Sequence, residues 1–153
     1  MRTSLEIAVD KFTFRVATDR WYTADGMWIL PTEPSDGTQL RLGVTDFLQQ
    51  RSGDIAFLTV RPPGTAFQAG EDVAEIETVK VNIALPAPVT GTVIAVNAAL
   101  DSTPEIVNQD PYGEGWLALI AVANWDTTRA ALLTPEAYFA LMQQQAESAL
   151  AQS

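Results

Sequence analysis

The stretch GEDVAEIETVKVNIALPAPVTG, Gly70 to Gly91, holds two alternating runs that meet at Val79-Lys80. In the first, Ala74, Ile76 and Thr78 alternate with Glu75, Glu77 and Val79; in the second, Ile83, Leu85 and Ala87 alternate with Asn82, Ala84 and Pro86. A period of two sends successive side chains to opposite faces of an extended chain, so the pattern predicts two half-buried strands folded back on each other. The join carries neither Gly nor an Asn-Gly pair, and turn chemistry does not locate it. A lysine does: Lys80 is the only Lys between Lys11 and the C-terminus. A primary amine on a four-carbon stem at a hairpin tip suits acylation or contact with a partner. A solvating charge at an ordinary strand end accounts for the same spacing, because lysines are mostly exposed.

Working outward, SLEIAVDKFTFRVA (4–17) contains the alternating set Phe12, Phe14, Val16 and reads as a strand preceded by a shorter one. Met27–Leu30 and Thr38–Val44 read as strands joined by a Pro-Ser-Asp-Gly turn. Asp46–Arg51 is a short helix, capped by Thr45 and stopped at Gly53. Asp54–Val60 is a strand that Pro62-Pro63-Gly64 breaks, since proline donates no ladder hydrogen bond. Beyond the central hairpin come a strand at Thr92–Val96, an irregular loop ALDSTPEIVNQDPYGEG, and a last strand at Trp116–Ala123.

The period then changes. A short helix begins at Asp126, and Thr134-Pro135-Glu136 supplies an N-cap, an N1 proline and an acidic first turn for a longer one. Tyr138, Leu141, Met142, Gln145 and Ala149 share one face of that helix. The fold class is β-rich α+β: short strands closed by C-terminal helices. GDIAFLTVRPPGTAFQAGE and TGTVIAVNAALDSTPEIVN echo one another weakly, as a repeat joined by a hairpin would.

At 153 residues the chain is of single-domain size. Nine Lys+Arg against 19 Asp+Glu leave a net charge of -10, a field that repels nucleic acid and anionic membranes and favours basic partners. There is no Cys and no His, which excludes thiolate nucleophiles, thiolate or imidazole metal sites and a Ser-His-Asp triad. No apolar run approaches a membrane span. The N-terminus places Glu6 and Asp10 early with no apolar core of a signal, so a cytoplasmic location is expected.

Glu71, Asp72, Glu75 and Glu77 offer oxygens for calcium or for acid–base work, yet their spacing matches no calcium loop and suits a solvated face. Gly113-Glu114-Gly115 precedes a strand rather than a helix, which is the wrong context for phosphate. The four Trp (21, 28, 116, 125) are scattered as packing residues are.

From Tyr22 to about Met142 the chain resembles the glycine cleavage system H-protein family. The stretches that carry the resemblance are YTADGMW (22–28), LGVTDFLQQRSGDIAFLTVRPPGTAFQAGE (42–71), ETVK (77–80), PVTGTVIAVNAAL (88–100) and PEIVNQDPYGEGWL (104–117). Four residues of ETVK say little alone; the ordered set is specific. The resemblance implies a barrel-sandwich hybrid of two antiparallel sheets, as in lipoyl and biotinyl carriers, with C-terminal helices. It implies a domain at 21–124, helices 125–153 packed on it, and an N-terminal extension 1–20 of unassigned role.

The resemblance also implies that Lys80 carries covalent lipoate. Glu77 and Gly91 stand three residues before and eleven after it, where family members have the Glu and Gly that accompany lipoylation. Val79 and Val81 flank the lysine where biotin carriers have methionines. The implied protein is a monomeric carrier without catalytic residues or metal. It would pass an aminomethyl group and reducing equivalents among glycine decarboxylase, aminomethyltransferase and dihydrolipoamide dehydrogenase, after a lipoate-attaching enzyme has loaded it.

Two departures stand out. Gly26-Met27 replaces the usual His-Glu before Trp, the His belonging to the cleft that shelters the loaded arm, and Val81-Asn82-Ile83-Ala84 replaces Ala-Ala-Ser-Asp or similar. A carrier for another pathway (sulfur metabolism or lipoyl relay) and an unmodified H-like binding module are the alternatives.

Overall fold

A computed structural model describes residues 4–32 and 39–151. The chain opens with a hairpin of two strands, β1 (Ser4–Val9) and β2 (Phe12–Ala17), in register from Ser4 opposite Ala17 to Val9 opposite Phe12. Asp10 turns it at φ 56, a conformation that Asp tolerates better than most residues. The first strand, expected to be the shorter, equals the second in length. The Pro-Ser-Asp-Gly turn expected at 34–37, and Thr38, lie outside the described residues.

Then follow β3 (Trp21–Tyr22), β4 (Met27–Pro31), β5 (Gln39–Val44), α1 (Asp46–Ser52), β6 (Ile55–Val60) and β7 (Ala66–Phe67). The central hairpin is β8 (Asp72–Thr78) and β9 (Asn82–Pro86), after which come β10 (Gly91–Val96) and β11 (Ala118–Ala121). A three-stranded antiparallel sheet has the order β6-β8-β9, and a six-stranded one runs β3-β4-β5-β11-β10-β7. The architecture is two antiparallel sheets, neither closed, with the β1–β2 hairpin as a third small sheet. The chain crosses between the two large sheets four times, at β5/β6, β6/β7, β7/β8 and β9/β10.

The segment 99–115 is not wholly irregular: it contains two single-turn helices, α2 (Ala99–Ser102) and α3 (Ile106–Gln109). Neither has a side-chain cap, and so neither carries the Ser/Thr/Asp/Asn-led start signal by which a helix is read from sequence. Further on, α4 (Trp125–Arg129) is capped by Asn124. The long α5 (Pro135–Ala151) starts where Thr134 Oγ1 accepts the Ala137 N–H at 3.1 Å.

One apolar core lies between the two large sheets, built from Ile29, Leu40, Leu42 and Val44 on one side and Leu58, Ile76 and Leu85 on the other. Ile76 and Leu85 are at most 1% exposed, and burying each such side chain is worth about 1.5–3 kcal/mol. A one-residue slip of β8 would turn that face to water, so the hydrophobic pattern also sets the hairpin register. A second cluster joins Phe14 and Val16 of β2, Phe47 of α1, Tyr22, Trp28, and Tyr138, Met142 and Ala146 of α5. Of the stripe expected on that helix, Tyr138 and Met142 are buried while Leu141, Gln145 and Ala149 are only partly covered, and Ala146, one turn beyond Met142 and outside the expected stripe, is buried with them. Among the described residues no helix is long and apolar enough to cross a membrane.

Candidate functional site

The two arms pair as their alternation requires, with Glu77 opposite Asn82, Ile76 opposite Ile83 and Ala74 opposite Leu85. Residues 79–81 form the tip, and Lys80 is exposed there. The turn is closed by Thr78: its N–H donates to the Val81 carbonyl at 2.9 Å, and its Oγ1 accepts the N–H groups of Lys80 (3.2 Å) and Val81 (3.1 Å). The hydroxyl takes the place of a backbone acceptor, which is how Ser and Thr build turns without glycine. Thr78 is the tip residue that the alternation alone passed over; a Thr two places before the lysine was the signal.

Val79 is 94% exposed and Val81 42%. Neither valine contributes to the core, so both are free for contact with whatever approaches the lysine. Glu77 lies on the outer face of the three-stranded sheet, opposite Phe57, itself 67% exposed. Glu75 and Thr59 form the next outward-facing pair along. The outer face beside the tip thus mixes carboxylates with an open aromatic ring. Glu71 is used locally, its Oε1 accepting the Gln68 N–H at 2.6 Å.

The lysine stem does not project straight into water. Its Cε is 3.5 Å from where a β-carbon on Gly53, the C-cap of α1, would sit. Beyond it lies a groove of about 380 Å³ whose lining includes Lys80, Phe47 and Arg51 of α1, and Phe12 and Phe14 of β2.

Gly91 is elsewhere. It begins β10 in the other large sheet, opposite Phe67, and β9 separates it from the tip by roughly 17 Å of extended chain. It is not on the arm facing Lys80. A β-carbon there would run into the Ala121 carbonyl oxygen, so the residue allows β10 and β11 to approach. The structure brings Glu77, Val79, Val81 and Lys80 together and leaves Gly91 at the far end of the hairpin.

Gly26 and Met27 also have local explanations. Gly26 sits at φ +92, with Leu48 Cβ 3.1 Å from where a β-carbon would be, a backbone state that strains any other residue. Met27 is fully buried in the main core.

A set of phenols holds the N-terminal hairpin in place beside this region. Tyr22 Oη donates to the Ala17 carbonyl at 2.6 Å and Tyr112 Oη to the Arg15 carbonyl at 2.7 Å. Asp46 accepts the Arg15 N–H at 2.9 Å, and Gln50 Nε2 donates to the Thr13 carbonyl at 2.9 Å. Tyr138 stacks on Tyr22, ring centroids 4.7 Å apart, and shares a hydrogen bond of 2.9 Å with Thr45 Oγ1. Desolvation raises all three phenols; Tyr138 is pushed up to about 12 although the Thr45 bond lowers it.

The family described as "Glycine cleavage H-protein" matches this chain over residues 20–145. A relative named "Glycine cleavage system H protein" from Beutenbergia cavernae is 44% identical over 126 residues, covering 82% of this chain and 95% of that protein. One of the same name from Thermus thermophilus is 42% identical over 102 residues, covering 67% and 77%. Among solved structures, the crystal structure of a glycine cleavage system H protein from Mycobacterium marinum aligns with a TM-score of 0.68 at 36% identity, over 82% of this chain and 97% of that one.

Proposed function

This chain belongs to the glycine cleavage H-protein family, and from that premise we propose that it is a lipoyl carrier of the glycine cleavage system with Lys80 as its attachment point. The observation that supports this most directly is the exposed lysine on a tip closed by its own Thr78. Acylation joins Lys80 Nζ to the lipoyl carboxyl carbon, AMP leaves the activated acyl group, and the amine gives up a proton. When bound, the lipoyl group supplies a dithiolane that takes up electrons and an aminomethyl group.

The chain's own part is presentation. Thr78 fixes the tip, Val79 and Val81 offer apolar contact on either side of the lysine, and Glu77 marks the approach for the lipoate-attaching enzyme. Gly91 serves this site indirectly, by letting β10 approach β11 closely in the other large sheet. Glycine decarboxylase, aminomethyltransferase and dihydrolipoamide dehydrogenase are the partners visited, and the chemistry is theirs and the cofactor's. The carrier unit is 21–124; of the extension 1–20 and of 125–153, the β1–β2 hairpin and α5 meet it in the second cluster.

Gly26-Met27 favours one second reading, a carrier of the same design that serves another pathway. The test is incubation with lipoate–protein ligase, lipoate and ATP, intact mass, and then assay with the glycine cleavage partners. One lipoyl increment with turnover is expected. An increment without turnover moves the protein to another pathway; no increment makes it an unmodified binding module.

A further inference from the structure

We infer that the outer edge of β1 pairs with the same edge of a second copy of this chain, so that two N-terminal hairpins join into one four-stranded antiparallel sheet. The edge lies in residues 4–17, outside the 20–145 that the family matches, and its pairing is independent of the lipoyl-carrier reading.

The hairpin ladder fixes which backbone groups point outward. Val9 and Phe12 pair across the two-residue turn Asp10-Lys11, and such a turn is closed by the N–H of its fourth residue donating to the carbonyl of its first. Antiparallel pairs alternate between bonded and non-bonded, so Val9–Phe12, Ile7–Phe14 and Leu5–Val16 are the bonded ones. The backbone groups of Thr13, Arg15 and Ala17 then point away from β1, and those of Glu6 and Ala8 away from β2. On β2 the outward groups find partners. The Thr13 carbonyl accepts from Gln50, the Arg15 N–H donates to Asp46, the Arg15 carbonyl accepts from Tyr112, and the Ala17 carbonyl accepts from Tyr22, all at 2.6–2.9 Å. On β1 the outward groups of Glu6 and Ala8 have no partner among the described residues.

Among the described residues every other sheet edge carries a device against strand addition. β3 and β7 have two residues each, β6 is bulged between Ile55 and Phe57, and β9 ends in Pro86. β1 has six residues in unbroken register, with no Pro, no Lys and no bulge. Its one charged residue, Glu6, is paired across the hairpin with Arg15 Nε at 3.1 Å. A two-stranded sheet is marginal by itself and gains from added strands.

The occupant follows from the strand's match to itself. A two-fold axis beside Ile7 sets Ile7 opposite the second copy's Ile7, Leu5 opposite its Val9, and Glu6 opposite its Ala8. Glu6 and the second copy's Ala8 then exchange two backbone hydrogen bonds, and the two-fold repeats them. No carboxylate meets a carboxylate, and the half-buried Leu5, Ile7 and Val9 of both copies form one apolar row. An axis beside Glu6 would instead set the two Glu6 side chains opposite each other, which like-charge repulsion disfavours. The self-complementary contact is of the isologous kind that homodimers use. Each copy carries a net charge of -10, so salt that screens the repulsion strengthens the pair.

The experiment takes the full chain through sedimentation equilibrium from micromolar to millimolar concentration, with Ala8→Glu and Ala8→Lys beside wild type. Ala8 is exposed, so both variants keep the fold, which circular dichroism checks. A monomer–dimer equilibrium is expected, tightened by added salt. Ala8→Glu sets a carboxylate against the second copy's Glu6 and should weaken the dimer roughly fivefold; Ala8→Lys should tighten it by a similar factor. In a mixture of isotope-labelled and unlabelled protein, an NOE between the Ile7 α-protons of the two copies is expected, because opposed non-bonded residues approach most closely.

A chain that stays monomeric through the series overturns the pairing, as does a dimer that both substitutions leave unchanged. A dimer whose intermolecular NOEs join residues outside β1 places the interface elsewhere and overturns it too. Lipoylation of Lys80 is read separately, by intact mass, so the carrier reading stands or falls without this edge.

Discussion

Thr78 and Val81 face each other across the hairpin tip, joined by the Thr78 N–H to Val81 carbonyl bond at 2.9 Å and by the Val81 N–H to Thr78 Oγ1 bond at 3.1 Å. The hydroxyl also receives the Lys80 N–H. The lysine that the carrier reading depends on is thus held by its backbone, while its side chain is exposed with its stem beside Gly53.

Thr78→Val keeps the shape and β-propensity of the side chain but removes that acceptor. Hydrogen bonds of this kind are worth about 0.5–1.5 kcal/mol net, and the exposed tip puts this one toward the low end. A small drop in urea midpoint and lipoylation several times slower at unchanged fold are expected. A wild-type initial rate by intact mass would show that the enzyme does not use the tip geometry.

Lys80→Arg keeps the charge and a long stem but has no usable acyl acceptor. It is expected to take up no lipoyl group while its circular dichroism and melting match wild type, because Lys80 is exposed and outside the core. A full increment on this variant would place the site elsewhere.

Gly91→Ala is expected to destabilise rather than merely slow modification. The added methyl meets the backbone carbonyl of Ala121, which cannot rotate away as a side chain would, and forced overpacking costs about 1–3 kcal/mol. Glu77→Ala, on the solvent face, should leave stability within about 0.5 kcal/mol of wild type and slow lipoylation. Measuring urea midpoint and rate for both separates the two residues; an unchanged midpoint in Gly91→Ala would refute the packing account.

Tyr138 makes the stability of the helix-packed cluster pH-dependent. Its phenol ionises near the ordinary 10.0 when unfolded and at about 12 when folded. Both states keep it neutral below 10, so its contribution is fully present there. Between 10 and 12 the unfolded state loses the proton first, and stability falls as pH rises through that window. Urea midpoints taken across it should decline, and less steeply in Tyr138→Phe; equal slopes would remove Tyr138 as a cause.

Local rules account for much of the fold. Thr45, Gly53 and Thr134 cap their helices where side-chain hydrogen bonding and backbone freedom say they must, and alternation set both arms of the β8–β9 hairpin with their register. The uncapped α2 and α3 offered no start signal, and β3 and β7 are two residues each, too short for any period to show.

The sequence by itself determined that two strands meet at Lys80 and that Ile76 and Leu85 face inward, because those follow from the pleat of a strand and the cost of exposing apolar surface. Only the tertiary structure decided that Gly91 lies at the far end of the hairpin against Ala121, and that Phe12, far away along the chain, shares a groove with Lys80. Those placements depend on which strands pair and how the β1–β2 hairpin is seated on α1 and α5. They arise from contacts between residues distant along the chain, which local pattern does not encode.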